Sequence, residues 1–210
     1  MNQLHLSENQ FQLNTLLQAE QDASLTEAML VTSSADGKGL VAFAGSKQPR
    51  VSIYHSAQNG SFSERQVVQL HGNSAPTALA FRNEYEELYV ASANNIYVVK
   101  AGTTDAKANK ERTASKQLTV EGEAEFVDIS GMAFDEKGTT LFLLSETQNL
   151  IQVLQPDKHN RWKVQQTLSP TLKDGTDLAG PTSVTQLKDN RHFAIAFGPS
   201  DAINVYTLSN

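Results

Sequence analysis

The apolar residues of this chain fall in short runs that recur in groups of three. One group has runs at residues 30–33, 40–43 and 51–54, and similar groups follow at 78–99, 131–154 and 183–206. Polar or glycine-containing turns separate the runs within a group, as is typical of short antiparallel strands. Copies that repeat at a period of about 50 residues are typical of a β-propeller, in which each copy is one blade.

The last copy shows the strands of one blade most clearly. Residues 181–187 predict a first strand and residues 202–206 a third strand, which alternates apolar and polar positions. The second strand, at 192–197, is mostly apolar, which we expect where neighbouring sheets cover both faces. The earlier copies add an outer fourth strand, predicted at residues 61–68, 116–120 and 162–168.

The last copy ends without an outer strand, and the N-terminus offers a replacement. Residues 9–17 align with residues 160–168, because an asparagine precedes an aromatic residue by two positions in both. We therefore expect residues 1–18 to close the ring by pairing beside the third strand of the last blade. The alternative for residues 11–30 is an amphipathic helix, and the closing strand is the favoured interpretation.

The predicted fold is therefore all-β: a four-bladed β-propeller of four-stranded antiparallel blades, closed by the N-terminal strand pairing in the last blade. Residues 1–210 form one domain in this interpretation. The polar insertion at residues 103–115 is predicted to be a mobile loop on the rim. The blades are expected at about 25–70, 76–121, 128–169 and 181–210.

Charge and composition narrow the classes of partner. The formal net charge is −6, which argues against a nucleic-acid partner because phosphate binding requires a basic face. The chain contains no cysteine, so a disulfide, a thiolate nucleophile or a zinc–thiolate site is impossible. No apolar run is long enough for membrane insertion, and no signal peptide is visible. Two localisations stay open: cytoplasmic, or an excised domain of an exported surface protein.

The turns and strands of several copies resemble a known family. The stretches DGKGLVAFAGS at 36–46, DGTDLAGPTSV at 174–184 and NRHFAIAFGPSDAINVY at 190–206 resemble blades of the lactonase-like β-propeller superfamily. This superfamily is of the 6-phosphogluconolactonase type and also occurs in bacterial surface proteins. The resemblance implies propeller blades, which usually number seven in this family. This chain has room for four, so a fragment or an engineered form of a larger propeller is the alternative. No catalytic residue of the family matches a position here.

The links between blades are the first place to look for chemistry, because loops at one face of a propeller carry its function. These links are acidic, and several carboxylates at one mouth could hold a hard cation such as Ca²⁺. Solvated loop carboxylates are the favoured interpretation, because no calcium-loop motif is present, and no cofactor is otherwise predicted. The candidate metal ligands are Asp22, Asp128, Asp174 and Asp177.

The same face holds the candidate ligand-binding residues. His71 is the one histidine in an inter-blade link, although an ordinary loop residue is the favoured interpretation of it. Asn73 lies in the same link, and the remaining candidates lie in turns between second and third strands. These are Arg50, Asn94, Glu146 and Asp201.

No catalytic motif accompanies these residues. The chain lacks a G-x-S-x-G elbow, a P-loop and a G-x-G-x-x-G loop, so no catalytic residue is predicted. The sequence favours a non-enzymatic, monomeric binding or scaffold domain that recognises a protein, a glycan or a cation-bridged ligand. The alternative is a lactonase-like hydrolase in which a carboxylate or His71 activates water.

Overall fold

Strands account for nearly all regular structure in the part of the protein that the structure describes. A computed structural model describes residues 2–7, 10–15, 28–34, 39–56, 62–82, 86–101, 112–113, 116–118, 120–121, 126–172, 175–187 and 191–207. In these ranges the chain forms strands and a 3-10 turn at Gly198–Ser200. The all-β prediction is confirmed for this part of the chain. The helical alternative for residues 11–30 is wrong where those residues are described, because they form strands.

The strands assemble into a hairpin and four larger sheets, which we name blades 1 to 4. The hairpin pairs β1 (Asn2–Ser7) with β2 (Gln10–Thr15). Blade 1 contains β3 (Ala28–Ser33), β4 (Leu40–Gly45), β5 (Arg50–Ser56) and β6 (Phe62–Gln69). Blade 2 contains β7 (Pro76–Arg82), β8 (Glu87–Ser92) and β9 (Asn95–Lys100).

Three short strands follow blade 2 in the chain. They are β10 (Arg112–Thr113), β11 (Lys116–Gln117) and β12 (Val120–Glu121). Blade 3 contains β13 (Ile129–Phe134), β14 (Leu141–Ser145), β15 (Leu150–Pro156) and β16 (Trp162–Leu168). Blade 4 contains β17 (Pro181–Gln186), β18 (His192–Phe197) and β19 (Ala202–Thr207).

Consecutive strands within each blade are antiparallel, and the copies share a local irregularity. A β-bulge interrupts the first strand of every blade near its start. Because a bulge bends a strand and increases its twist, its recurrence at one position gives the four copies the same shape. The bulges lie between Ala28 and Leu30, Pro76 and Ala78, Ile129 and Gly131, and Pro181 and Ser183.

Each blade packs its face against the next blade in the chain. One core lies between blades 1 and 2 and includes Ile53 and Leu88, and a second lies between blades 2 and 3 and includes Tyr89 and Leu143. A third core, with Phe142 and Phe193, joins blades 3 and 4. Two-sided burial explains why β4, β8 and β14 are continuous apolar runs.

The predicted ring closure is not confirmed. Residues 10–15 form a strand, but that strand pairs with β1, and the sheet of blade 4 has three strands in the order β17–β18–β19. The physical reason is proximity in sequence. Pairing β2 with the strand two residues before it closes a much shorter loop than pairing it with β19, so the local hairpin costs less chain entropy.

Three further expectations need correction. The outer strand predicted for blade 2 at residues 116–120 is shorter, because β11 ends at Gln117 and the chain then continues into β12, which runs parallel to β16. Residues 112–113, within the predicted mobile loop, form β10 beside β6. Finally, β18 was expected to be covered on both faces, but it alternates buried and half-buried residues. Blade 3 therefore covers one face of β18.

Candidate functional site

The links and the turns between second and third strands lie at one edge of the blades, which we name the link face. Antiparallel pairing requires this, because each second strand ends beside the start of the first. The Ser92 hydroxyl donates to the Ser74 carbonyl at 2.6 Å, and the Ser145 hydroxyl donates to the Val127 carbonyl at 2.7 Å. Both bonds join residues 18 positions apart, so each link is tied to its own blade in the same way.

Side chains of the link face also hold each link across the seam between two blades. The Asn149 side-chain oxygen, in the turn after β14, accepts a hydrogen bond from the Gly180 amide at 3.1 Å. The Asn94 oxygen accepts from the Asp128 amide at 3.4 Å in the equivalent place one blade earlier. These bonds satisfy backbone donors of the links, and they order the link face.

The turns of the link face require unusual backbone conformations. Asn149 and Asp201 have φ values of 53° and 47°, a left-handed region that asparagine and aspartate tolerate better than most residues. Gly180 has φ 65°, and a Cβ there would lie 2.6 Å from the Pro199 Cγ and 3.4 Å from the Glu146 Cγ. Only glycine allows the link into blade 4 to approach these two turns so closely.

The structure distributes the predicted ligand-binding residues along this edge. His71, Asn73, Glu146 and Asp201 are exposed, and the His71 carbonyl accepts a hydrogen bond from the Tyr97 hydroxyl at 2.7 Å. Arg50 is half-buried at the start of β5, where it pairs with Gln69. One hydrogen bond joins residues of the two predicted sets, from the Asp128 amide to the Asn94 side-chain oxygen.

The predicted calcium ligands are not gathered into a site within the described residues. Asp128 and Asp177 are exposed, and Asp177 pairs with Thr171 in an isolated bridge. Asp22 and Asp174 lie outside the described residues. In the part of the chain that the structure describes, no group of three or more histidines or carboxylates is placed to hold a metal ion. The Ca²⁺ site stays a prediction.

A buried charged cluster at the opposite edge was missed by the sequence interpretation. Arg82, at the end of β7, is 1% exposed, and its Nε donates to the Gly138 carbonyl of blade 3 at 2.7 Å. Its guanidinium also contacts the Glu87 carboxylate and the Asn160 side-chain oxygen. The only sequence signal was an arginine that ends an apolar strand, with a glutamate five residues later across the turn.

Aromatic rings surround this cluster and fix the seam between blades 2 and 3. The Arg82 guanidinium lies 5.0 Å from the centre of the Trp162 ring, a cation–π arrangement. Tyr89 makes an edge-to-face contact with Phe134 at 4.8 Å, and its hydroxyl donates to the Glu87 carboxylate at 3.5 Å. Burial raises the pKa of Tyr89 to about 12. The cluster is a structural staple between blades, since Arg82 of blade 2 donates to Gly138 and Asn160 of blade 3.

Comparison with known proteins identifies a fold and no family. No protein-family model and no curated protein matches the chain. Solved structures do match. They include a Lactobacillus plantarum protein, at a TM-score of 0.66 and 14% identity, with 99% of this chain and 60% of that chain covered. A candidate 6-phosphogluconolactonase from Bacteroides uniformis matches at 0.61 and 13%, with 86% and 53% covered.

A third similar structure is a protein of unknown function from Desulfotomaculum acetoxidans, with a TM-score of 0.63 and 17% identity over 88% of this chain and 56% of that chain. These identities are low, so the likeness shows the fold alone. It agrees with the lactonase-like blades expected from the sequence. The chain spans between half and two thirds of the length of each of these three structures.

No helix among the described residues is long and apolar enough to span a membrane.

Proposed function

We propose that this protein is a non-enzymatic scaffold that binds a protein, a glycan or a cation-bridged ligand at its link face. The supporting observation is that the Asn149 and Asn94 side-chain oxygens accept hydrogen bonds from the Gly180 and Asp128 amides, which fixes successive links. A platform whose backbone is held in this way presents its exposed polar side chains with little ordering cost on binding. Exposed polar side chains along it include His71, Asn73 and Asp201.

The experiment is a glycan array screened with and without Ca²⁺, together with calcium calorimetry on the same protein. We expect binding that the double change Asp128→Asn and Asp177→Asn weakens at least about tenfold, because these carboxylates lie in successive links. His71→Ala tests the ligand site, and His159→Ala, in the exposed turn after β15 at the opposite edge, is its matched control. Binding that both histidine variants weaken equally would place the ligand elsewhere.

The alternative, a lactonase-like hydrolase, has fold similarity as its support, and 6-phosphogluconolactone is the substrate to test. Hydrolysis that His71→Ala or Asp177→Asn abolishes would replace the scaffold proposal. We further propose that the protein is a monomer and does not bind nucleic acid. The net charge of −6 favours the lack of nucleic-acid binding. Sedimentation measurements test the monomeric state.

A further inference from the structure

The outer face of blade 4, which points away from blade 3, carries apolar residues that no described residue covers. Strand pairing forms two rows on this face: Ser183 with Ala196 and Ile203, and Thr185 with Ala194 and Val205. Ile203 is 76% exposed and Val205 is 50% exposed. Exposed branched apolar residues side by side on one strand usually mark an interaction surface.

The equivalent face of blade 2 shows what such residues do when they are covered. There the rows are Ala78 with Ala91 and Ile96, and Ala80 with Tyr89 and Val98. By register, Ile96 corresponds to Ile203 and Val98 corresponds to Val205. Ile96 is 1% exposed and Val98 is 8% exposed, because blade 3 packs on this face. The same residue types therefore occupy equivalent positions in blades 2 and 4. The pair in blade 2 is covered by blade 3, and the pair in blade 4 is open.

We propose that the outer face of blade 4 is a docking surface for a further β-sheet blade. The chemistry of the occupant follows from blade 3, which covers blade 2 with Met132, Phe134, Leu141 and Leu143. The occupant is thus a polypeptide sheet with a face of aliphatic and aromatic side chains. The two open rows contain no charged residue, so burial of these two rows leaves no ion without a partner, and His192, opposite Thr207, begins the neighbouring row.

Two independent observations support a blade as the occupant. The second strand of blade 4, β18, has apolar residues on both faces, as the strands buried between two blades have, yet blade 3 covers only one of them. In addition, the three similar structures described above continue well beyond the part that this chain matches, which occupies 53–60% of their length. Propellers stack their sheets face to face, so a further sheet is the element that fits an open face of a blade.

A thiol placed on this face reports whether it becomes covered, because the protein contains no cysteine of its own. Ile203→Cys provides that thiol, and Val31→Cys, at a residue of blade 1 that is 61% exposed, is the matched control. The probe blade is a second copy of residues 101–168, joined directly after Thr207. This junction is chosen because Thr207 pairs with His192 as Lys100 pairs with Glu87.

We expect the thiol at position 203 to react with a disulfide reagent at least about tenfold more slowly in the extended protein, because a buried thiol reacts only when its site opens. The thiol at position 31 should react equally in both proteins. A matched extension, in which the copies of Met132 and Phe134 are replaced by aspartate, should give no protection.

Three outcomes would overturn the proposal. Equal reactivity at position 203 with and without the folded extension would show that the face does not bind a blade. Protection in the 210-residue protein that grows with its concentration would assign the face to a second copy. The thiol could also be protected in the 210-residue protein at every concentration. If this protection disappears when residues 1–17 are deleted, the face is assigned to the N-terminal hairpin. If the extension does not fold, the 210-residue protein is tested with a dye that binds apolar surface. The proposal requires that Val205→Asp lowers dye binding and that Val31→Asp does not.

Discussion

Blades 2 and 4 are built from the same pattern but differ in what covers them. The face of blade 2 that carries Ile96 is buried against blade 3, and the matching face of blade 4 that carries Ile203 is open. The apolar content of a strand therefore indicates how many neighbouring blades it is suited to pack against. Its burial shows how many blades it packs against in this structure. The two blades therefore form a natural pair for measuring what a neighbouring blade contributes.

The largest expected effect comes from placing one charge at the matched positions. Ile96→Asp should lower the free energy of unfolding by more than about 4 kcal/mol, because it buries an unpaired carboxylate between blades. Ile203→Asp should change it by no more than about 0.5 kcal/mol, since that side chain is in water. Urea denaturation of both variants measures the difference. Comparable losses would mean that the face of blade 4 is already covered.

The charged staple is expected to have the next largest effect. Arg82→Met should cost about 3 kcal/mol, because it leaves the Gly138 carbonyl without its donor and removes the buried cation that faces the Glu87 carboxylate. Lys100→Met is the matched control: Lys100 also contacts Glu87, at 3.0 Å, but its side chain is 62% exposed. We expect the control to change stability by less than about 1 kcal/mol in the same denaturation assay. Equal effects would show that the staple acts through surface charge.

A smaller effect is expected where side chains hold the link into blade 4. Asn149→Ala should cost about 1–2 kcal/mol, because it removes the acceptor of the Gly180 amide and places alanine in a left-handed conformation. Ser200→Ala is the comparison on the outer side of the same link, where the Ser200 hydroxyl accepts from the Ala179 amide at 2.9 Å in an exposed position. Thermal unfolding should rank Asn149→Ala as the more harmful change, and the reverse order would contradict this role of the link contacts.

The smallest effect at neutral pH is expected at Tyr89, which becomes important only in alkali. Its folded pKa of about 12 lies above the usual value of 10.0, so the folded state favours the neutral phenol. That contribution is complete below pH 10 and is lost as the pH rises from about 10 to about 12. Unfolding midpoints measured across this range should fall less steeply for Tyr89→Phe than for the natural protein. Parallel curves would show that the seam between blades 2 and 3 is open to water.

Sequence reasoning reached the repeat and its turns but missed contacts between distant residues. The runs that end at Phe81 and Phe134 predict strands because each is followed by a polar turn and another apolar run. The role of Arg82 could not be predicted, because its partners Gly138 and Asn160 lie 56 and 78 residues away in sequence. The closing strand was inferred from the alignment of residues 9–17 with residues 160–168, which does not distinguish pairing with β19 from pairing with β1.

The candidate site shows the same division. Its location at the links followed from the order of strands, and the structure does place those links at one edge. The side chains that hold the edge together, Asn149 and Ser145, were not singled out, because amides and hydroxyls in turns are common. A signal was available in the serines that end β8 and β14, since each stands 18 residues after the carbonyl it contacts.

The tie between each link and its own blade has a consequence for how the chain folds. Bonds such as Ser92 to Ser74 and Ser145 to Val127 connect residues that are close in sequence, and the three cores that lie between blades each join consecutive blades. Such an array is nearly one-dimensional, so a nucleus can form in one blade and growth can proceed to its neighbours in turn. Folding then draws on contacts within and between consecutive blades, and local contacts of this kind favour fast folding.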